Sequence, residues 1–264
     1  MEEFRNRWAL VTGASSGIGE DFSRLLAEGG ANLVLVARRE DRLKQLAEEL
    51  TRAHGVEARV IALDLGAPDA AAELKRRTDG QGLEIDLLVN NAGFGLYGRH
   101  MEIAWERERE MLELDVVALA DLTKRYLAGM LERDRGWVLQ VASIGGYQPS
   151  PSYASYSAAK AYVLNLGEAL NYELRKTNVH VTVLSPGVTK SEFLDVSGQK
   201  PALYHRLTMM PARKVTRAGL RAALRGRPSV IPGFANKVAA FSLRFMPRRL
   251  QAAAADVMMN VGMA

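Results

Sequence analysis

Seven short apolar runs punctuate the chain: Trp8 to Val11, Asn32 to Ala37, Ala58 to Leu63, Ile85 to Val89, Trp137 to Ala142, His180 to Leu184 and Ser229 to Ile231. Most are continuous rather than alternating, the pattern of parallel strands covered on both faces. Amphipathic stretches separate them. They predict helices from Gly17 to about Gly29, Glu40 to His54, Ala67 to Thr78, Pro211 to Arg225, and two long ones over 103–133 and 152–177. Strands alternating with helices require right-handed crossovers, so the expected architecture is α/β: a doubly wound parallel sheet of about seven strands with helices on both faces.

The turn after the first run reads Thr12-Gly13-Ala14-Ser15-Ser16-Gly17-Ile18-Gly19 and opens a helix. Strand, glycine turn, helix is the context of a dinucleotide fingerprint and makes the sheet Rossmann-type. Glycines let the backbone approach a pyrophosphate, and the helix N-terminus offers free N–H groups and a positive dipole end. The second run ends in Arg38-Arg39, about where an acid would bind the ribose 2′-hydroxyl of NAD and an arginine the 2′-phosphate of NADP. NADP(H) is the expected cofactor. A literal G-x-G-x-x-G at Gly93 to Gly98 follows the fourth strand and opens no helix directly, so it is expected to be an active-site loop.

Ser143 follows the fifth run, with Tyr156 thirteen residues later and Lys160 four beyond that. Helical residues four apart share a face, so phenol and ammonium can converge beside a serine at the carboxyl end of a strand, where open α/β sheets bind ligands. The cation is expected to lower the phenol's pKa and fit it for proton transfer. Tyr172 and Lys176 repeat the spacing on the same predicted helix but have Ala159 where the serine is needed, and they read as a solvated face. Asp115 sits among apolar neighbours in the long helix and needs solvent or a partner.

Composition narrows the chemistry. Cysteine is absent and the four histidines are scattered, so neither disulfides nor a metal site is expected. No run reaches transmembrane length and the charged N-terminus carries no signal-peptide core, which points to the cytoplasm. The net charge of +5 is uneven: twelve Lys/Arg and no acid lie between Val196 and Ala255, which suggests an anionic partner for this part. Arg213, Arg217, Arg221 and Arg225 stand at four-residue spacing. Phe234, Val238, Phe241 and Phe245 share one face of a basic amphipathic stretch. Such a stretch can rest on a membrane surface, but covering a substrate mouth or a subunit contact is favoured. Nucleic-acid binding is disfavoured, because the basic residues belong to no recognised module.

Together, Thr12-Gly-x-x-x-Gly-x-Gly19, Asn90-Asn-Ala-Gly93, Ser143, Tyr156-x-x-x-Lys160 and Pro186-Gly187 resemble the short-chain dehydrogenase/reductase family in order and spacing, over roughly Trp8 to Ile231. The resemblance implies one dinucleotide-binding oxidoreductase domain over 1–264, with a substrate loop at 189–210 and a C-terminal amphipathic extension at 232–264. It implies Tyr156 as general acid/base, Ser143 on the substrate oxygen, and Lys160 on the nicotinamide ribose. The cofactor would meet Gly13, Ser15, Ser16, Gly17, Ile18, Gly19, Arg38, Arg39, Asp64, Leu65, Asn91, Ala92 and Gly93, and beyond them Tyr156, Lys160, Pro186, Gly187 and Thr189. Asp115 falls where the family usually has a catalytic asparagine, and is expected to act with Lys160 as its charge partner. The implied activity is NADP(H)-dependent interconversion of a carbonyl and a secondary alcohol, on a hydrophobic small molecule, by a homodimer or homotetramer. Alternatives are reduction of a 3-oxoacyl thioester on acyl-carrier protein or CoA, and a non-catalytic NADP(H)-binding protein.

Overall fold

The structure, a computed structural model, describes residues 2–200 and 208–260. Leu203 and Tyr204 of the expected substrate loop lie outside the described residues.

The seven apolar runs form seven strands: β1 Trp8–Thr12, β2 Asn32–Ala37, β3 Ala58–Ala62, β4 Ile85–Asn90, β5 Gly136–Val141, β6 Val179–Leu184 and β7 Ser229–Val230. They pair in parallel throughout, in the order β3-β2-β1-β4-β5-β6-β7. The order reverses beside β1, so the turns after β1 and β4 diverge and leave a crevice at the strands' carboxyl ends.

Both faces of the sheet are covered. Phe22, Leu25 and Leu26 of α1 (Gly17–Glu28), Leu43, Leu46 and Leu50 of α2 (Glu40–His54), and Val215 and Leu220 of the helix Ala212–Leu224 form one core. Leu74 of α3 (Ala70–Asp79) and Leu122, Tyr126 and Met130 of α5 (Leu119–Glu132) form the other. Beside the second core, Val163 and Leu164 of α6 (Ala154–Glu173) pack with Leu119 and Val183. This helix approaches closely because Gly167 stands against Val183 and Gln140, where a β-carbon would have no room.

The long helix expected over 103–133 differs in one respect. α4 (Trp105–Leu112) continues into α5 through a π-helical stretch, Glu113–Ala118, after a separate 3-10 turn at His100–Glu102. An inserted residue re-aims the side chains around it, and such π segments are frequent at functional sites. Here the segment turns Asp115 fully inward. The helix of 152–177 is shorter than expected and stops at Glu173, so Lys176 lies past its end. Tyr172 is 67% exposed, with the Arg175 guanidinium 4.1 Å from its ring centre. The Tyr172–Lys176 pair therefore belongs to a solvated surface.

At the C-terminal end, helix Phe234–Ser242 and a 3-10 turn at Leu243–Phe245 precede Pro247, and a further helix covers Arg248–Asn260. Phe234, Val238, Phe241 and Phe245 are all exposed. Among the described residues no helix is long and apolar enough to cross a membrane.

Candidate active site

A cleft of about 440 Å³ opens at the crevice. It is lined from the glycine turn at Gly13 and Gly17, past Asn91 and Gly93, to Ser143, Tyr156, Lys160 and Thr189. Ser15, Ser16, Ile18, Arg38, Arg39, Asp64, Leu65, Ala92, Pro186 and Gly187 line it too. Two of the expected site residues do not line it, Gly19 and Asp115. Both act from behind the wall.

Gly19 is a contact of close packing: a β-carbon there would run into the Gly13 carbonyl and the Asn91 amide. Gly13 and Gly17 adopt the left-handed conformation, at φ 67° and 57°, which side chains other than glycine strain to reach. The turn is tied to β4 through Thr12. The Thr12 hydroxyl accepts from the backbone N–H groups of Asn91 and Ala92, each at 2.9 Å, and donates to the Val89 carbonyl at 3.2 Å. Asn91 returns a side-chain bond to the Thr12 carbonyl at 2.9 Å. The two loops that flank the crevice are thereby locked to one another.

Ser16 precedes α1 in extended conformation and does not cap it with its side chain. The first-turn N–H groups thus face the cleft uncapped, which suits an anionic pyrophosphate. The Ser16 hydroxyl instead accepts from Arg39 Nη2 at 2.6 Å, and Ser15 accepts from Arg39 Nε at 3.1 Å. Of the two adjacent arginines, Arg39 turns across the glycine turn. Arg38 is largely exposed and lies 3.8 Å from Asp64. Glu192 accepts from Arg39 Nη1 at 2.9 Å and from Arg42 Nη1 at 2.7 Å. Hydrogen bonds from Arg42 and Arg39 hold the Glu192 carboxyl down at about 2.

At the other end, β5 delivers Ser143 and α6 delivers Tyr156 and Lys160. Ser143 caps a 3-10 turn by accepting from Gly145 N at 3.1 Å, and it lines the cleft together with Tyr156. Gly146 of that turn lies flat on α6 at Lys160, with no room for a β-carbon. Lys160 is buried; its Nζ donates to the Val141 carbonyl at 3.2 Å and lies 5.6 Å from the Tyr156 ring centre. Asp115 Oδ2 stands 3.0 Å from the same Nζ, a close ion pair without aligned hydrogen-bond geometry. Asp115 Oδ1 accepts from Phe94 N at 3.0 Å. The expected charge partnership is present, built from behind Gly93, where a β-carbon would stand 2.8 Å from Oδ1.

The expected lowering of the phenol's pKa is not what this arrangement produces. Burial pushes the Tyr156 phenol up, Asp115 adds to the rise through its negative charge, and the nearby Ser143 hydroxyl only partly offsets them. The nearby lysine is engaged by a carboxylate, which also opposes phenolate formation. Burial likewise raises the Asp115 carboxyl, against the pull of Lys160 and the Phe94 N–H.

Several groups in or beside the cleft were not singled out by sequence reasoning as site residues. Tyr153 bonds through its phenol to Ser197 at 3.0 Å and Gln199 at 2.8 Å. Phe193 lies against Tyr156, ring centres 5.4 Å apart, and fills the space above Gly95. Asn236 packs against Gly187, and Met259 reaches the cleft from the last helix. Arg42 carried a usable signal, standing one helical turn after Arg39 on α2; the others depend on the path of loops. Of the Gly93–Gly98 loop, Gly93 and Phe94 line the cleft, while the Thr189 hydroxyl donates to Gly187 O at 3.0 Å.

Comparison with known proteins agrees with this geometry. The family model described as short chain dehydrogenase matches residues 7–202. A 7beta-hydroxysteroid dehydrogenase of Mediterraneibacter gnavus is 33% identical over 189 residues, 72% of this chain and 71% of its own. A solved 7beta-hydroxysteroid dehydrogenase superposes with a TM-score of 0.87 at 28% identity, over 96% of this chain and 98% of its own. A short-chain dehydrogenase from Sphingobium yanoikuyae in complex with NADPH gives 0.80 at 29% identity, over 93% and 98%. With the fold, the cleft and these likenesses in agreement, the chain belongs to the short-chain dehydrogenase/reductase family and is an oxidoreductase interconverting a carbonyl and an alcohol.

Proposed function

We propose that this oxidoreductase uses NADP(H) and acts on a bulky apolar ketone or secondary alcohol. One observation carries the reading: Ser143, Tyr156 and Lys160 converge on the cleft that runs back to the uncapped α1 N-terminus and Arg39. The residues fit the cofactor. Gly13 and Gly17 leave the turn open to a pyrophosphate, Arg39 and Arg42 supply a cationic fork for a 2′-phosphate, and Asp64 and Leu65 line the adenine end. When bound, the nicotinamide supplies or accepts the hydride.

The remaining work falls on the chain. In reduction the Tyr156 phenol donates its proton to the substrate oxygen, and in oxidation the phenolate takes it back. Ser143 holds that oxygen in place, and Lys160 offers a cation near the phenolate that forms after proton donation, its pull weakened by Asp115. Asp115 restrains Lys160. The apolar lining (Phe94, Tyr153, Phe193, Leu194, Val196 and Met259) favours a hydrophobic substrate, as does the likeness to hydroxysteroid dehydrogenases. A run of basic residues without an acid from Val196 to Ala255 favours, as a second reading, a thioester carried on an anionic group.

We further infer one domain over 1–264, its 189–210 segment serving the substrate and 232–264 forming an extension. Homo-oligomerisation is supported by exposed Trp105, Val117 and Leu131 along α4–α5 and Tyr162 on α6. A cytoplasmic location fits the absence of any membrane-crossing helix among the described residues.

Fluorescence titration with NADPH and NADH tests the cofactor. Wild type is expected to bind NADPH at least tenfold more tightly, and Arg39→Asp is expected to abolish the preference; NADH preference in the wild type would refute it.

A further inference from the structure

Consecutive residues of the segment after β6 reach opposite ends of the cleft. Glu192 lies across Arg39 and Arg42, on the cationic fork assigned above to the cofactor's 2′-phosphate. Phe193, the next residue, lies against the Tyr156 ring at 5.4 Å and stacks on Tyr153 at 6.5 Å. A short helix, Phe193–Ser197, follows, closed by backbone bonds from Val196 N to Glu192 O at 3.0 Å and from Gln199 N to Leu194 O at 3.1 Å. The turn is thus pinned at its start by a carboxylate–guanidinium clamp and by aromatic contact with the proton-transferring residue, and at its end by the bonds of Ser197 and Gln199 to the Tyr153 phenol. A single stiff turn joins the two.

A carboxylate brings one negative charge and two acceptor oxygens to the fork. A phosphate monoester brings about 1.5 to 2 charges and three acceptor oxygens, and planar guanidinium groups bind it bidentately at least as well. The two ligands cannot share the same donors. Resting on the NADP(H) reading, we propose that Glu192 competes with the cofactor's 2′-phosphate for Arg39 and Arg42. A 2′-phosphorylated nucleotide then frees the turn and lifts Phe193 from Tyr156, and an unphosphorylated one does not. Glu192 and Arg42 thereby determine cofactor specificity, and the proton-transferring tyrosine opens to substrate only when the matching cofactor is bound.

The test uses the full chain and two fragments lacking nicotinamide, 2′,5′-ADP and 5′-ADP. Binding is measured by calorimetry, and loosening of the turn by hydrogen–deuterium exchange at the amides of Val196, Gly198 and Gln199. In the wild type, 2′,5′-ADP is expected to accelerate exchange at these amides several-fold, and 5′-ADP to leave it unchanged. Glu192→Gln is expected to exchange rapidly without ligand and to bind 2′,5′-ADP about three- to tenfold more tightly, the size of two partly exposed ion pairs, with 5′-ADP affinity unaltered. Arg42→Gln also loosens the turn, yet is expected to weaken 2′,5′-ADP binding. Opposite affinity changes in two variants that both loosen the turn are what competition requires; a merely structural role for the clamp would move both affinities the same way and overturn the proposal. A 2′,5′-ADP preference that Glu192→Gln leaves unchanged would also overturn it, with the cofactor reading intact. Equal affinity for the two nucleotides in wild type and variant would remove the cofactor reading and the competition together.

Discussion

Thr12, buried behind the glycine turn, and Glu192, on the wall of the cleft, are held in different ways. Thr12 is buried, and its hydroxyl makes three bonds to backbone groups of β4 and the turn after it. Glu192 is about half exposed and held by Arg39, just ahead of α2, and Arg42 on it. Backbone bonds in a buried setting are costly to leave unmade, about 1–3 kcal/mol each. Exposed ion pairs contribute about 0–1 kcal/mol and yield to a better ligand. The side that must hold its shape is therefore built from the first kind of contact. The side proposed to admit substrate is built from the second.

Five variants sharpen this contrast. Tyr156→Phe keeps the ring and its packing but removes the proton. Turnover is expected to fall by about 10²- to 10⁴-fold while NADPH affinity stays within about twofold, read by steady-state kinetics and titration. Retained carbonyl-dependent NADPH oxidation would show that another group moves the proton.

On the rigid side, Thr12→Val leaves two backbone N–H groups without their acceptor. A loss of about 2–4 kcal/mol is expected, seen as a lowered midpoint in urea unfolding with an unchanged slope. Gly93→Ala presses a β-carbon on the Asp115 carboxylate and is expected to cost about 1–3 kcal/mol by overpacking. It should also disturb the Asp115–Lys160 pair, so its kinetic loss should exceed that of Thr12→Val when both are compared well below their melting temperatures.

Asp115→Asn tests electrostatics rather than packing. The carboxylate's negative charge raises the Tyr156 phenol, so its removal lowers that pKa. A phenol donates its proton only below its pKa. In the reductive direction the alkaline limb of the pH–kcat/KM profile is therefore expected to move to lower pH. Turnover near neutrality is expected to rise a few-fold, as the phenol's pKa comes closer to the working pH. An unmoved limb with a large loss of turnover would instead give the carboxylate its own role. The smallest effect is expected on the surface: Tyr172→Ala, at the decoy pair, should change stability by less than about 0.5 kcal/mol and leave kinetics unaltered.

Much of the site is legible in the chain because its parts come from local rules. A continuous apolar run that ends in Ser143 or in Thr12-Gly13 announces a buried strand and the loop at its carboxyl end, and parallel strands bring all such ends to one edge of the sheet. That is why Ser143, Tyr156, Lys160 and the glycine turn could be placed together before any coordinate was known. Other features depend on distance and burial. The sign of the Tyr156 shift followed from how deeply the ring is covered and from Asp115 beside Lys160, neither of which residue spacing conveys. The division of labour between Arg38 and Arg39 was equally hidden, since adjacent side chains at a strand end differ only in the direction they leave the backbone.

By itself the sequence determined the order of strands and helices, the glycine turn that opens α1, and the pairing of phenol with ammonium, because each rests on periodicity or fixed spacing along one element. Only the tertiary structure decided the π-helical turn that buries Asp115, the clamp of Arg39 and Arg42 on Glu192, and the contact of Phe193 with Tyr156. Each joins segments far apart in the chain, and the free energy of such contacts depends on burial and direction, which exist only once the sheet has brought the segments together.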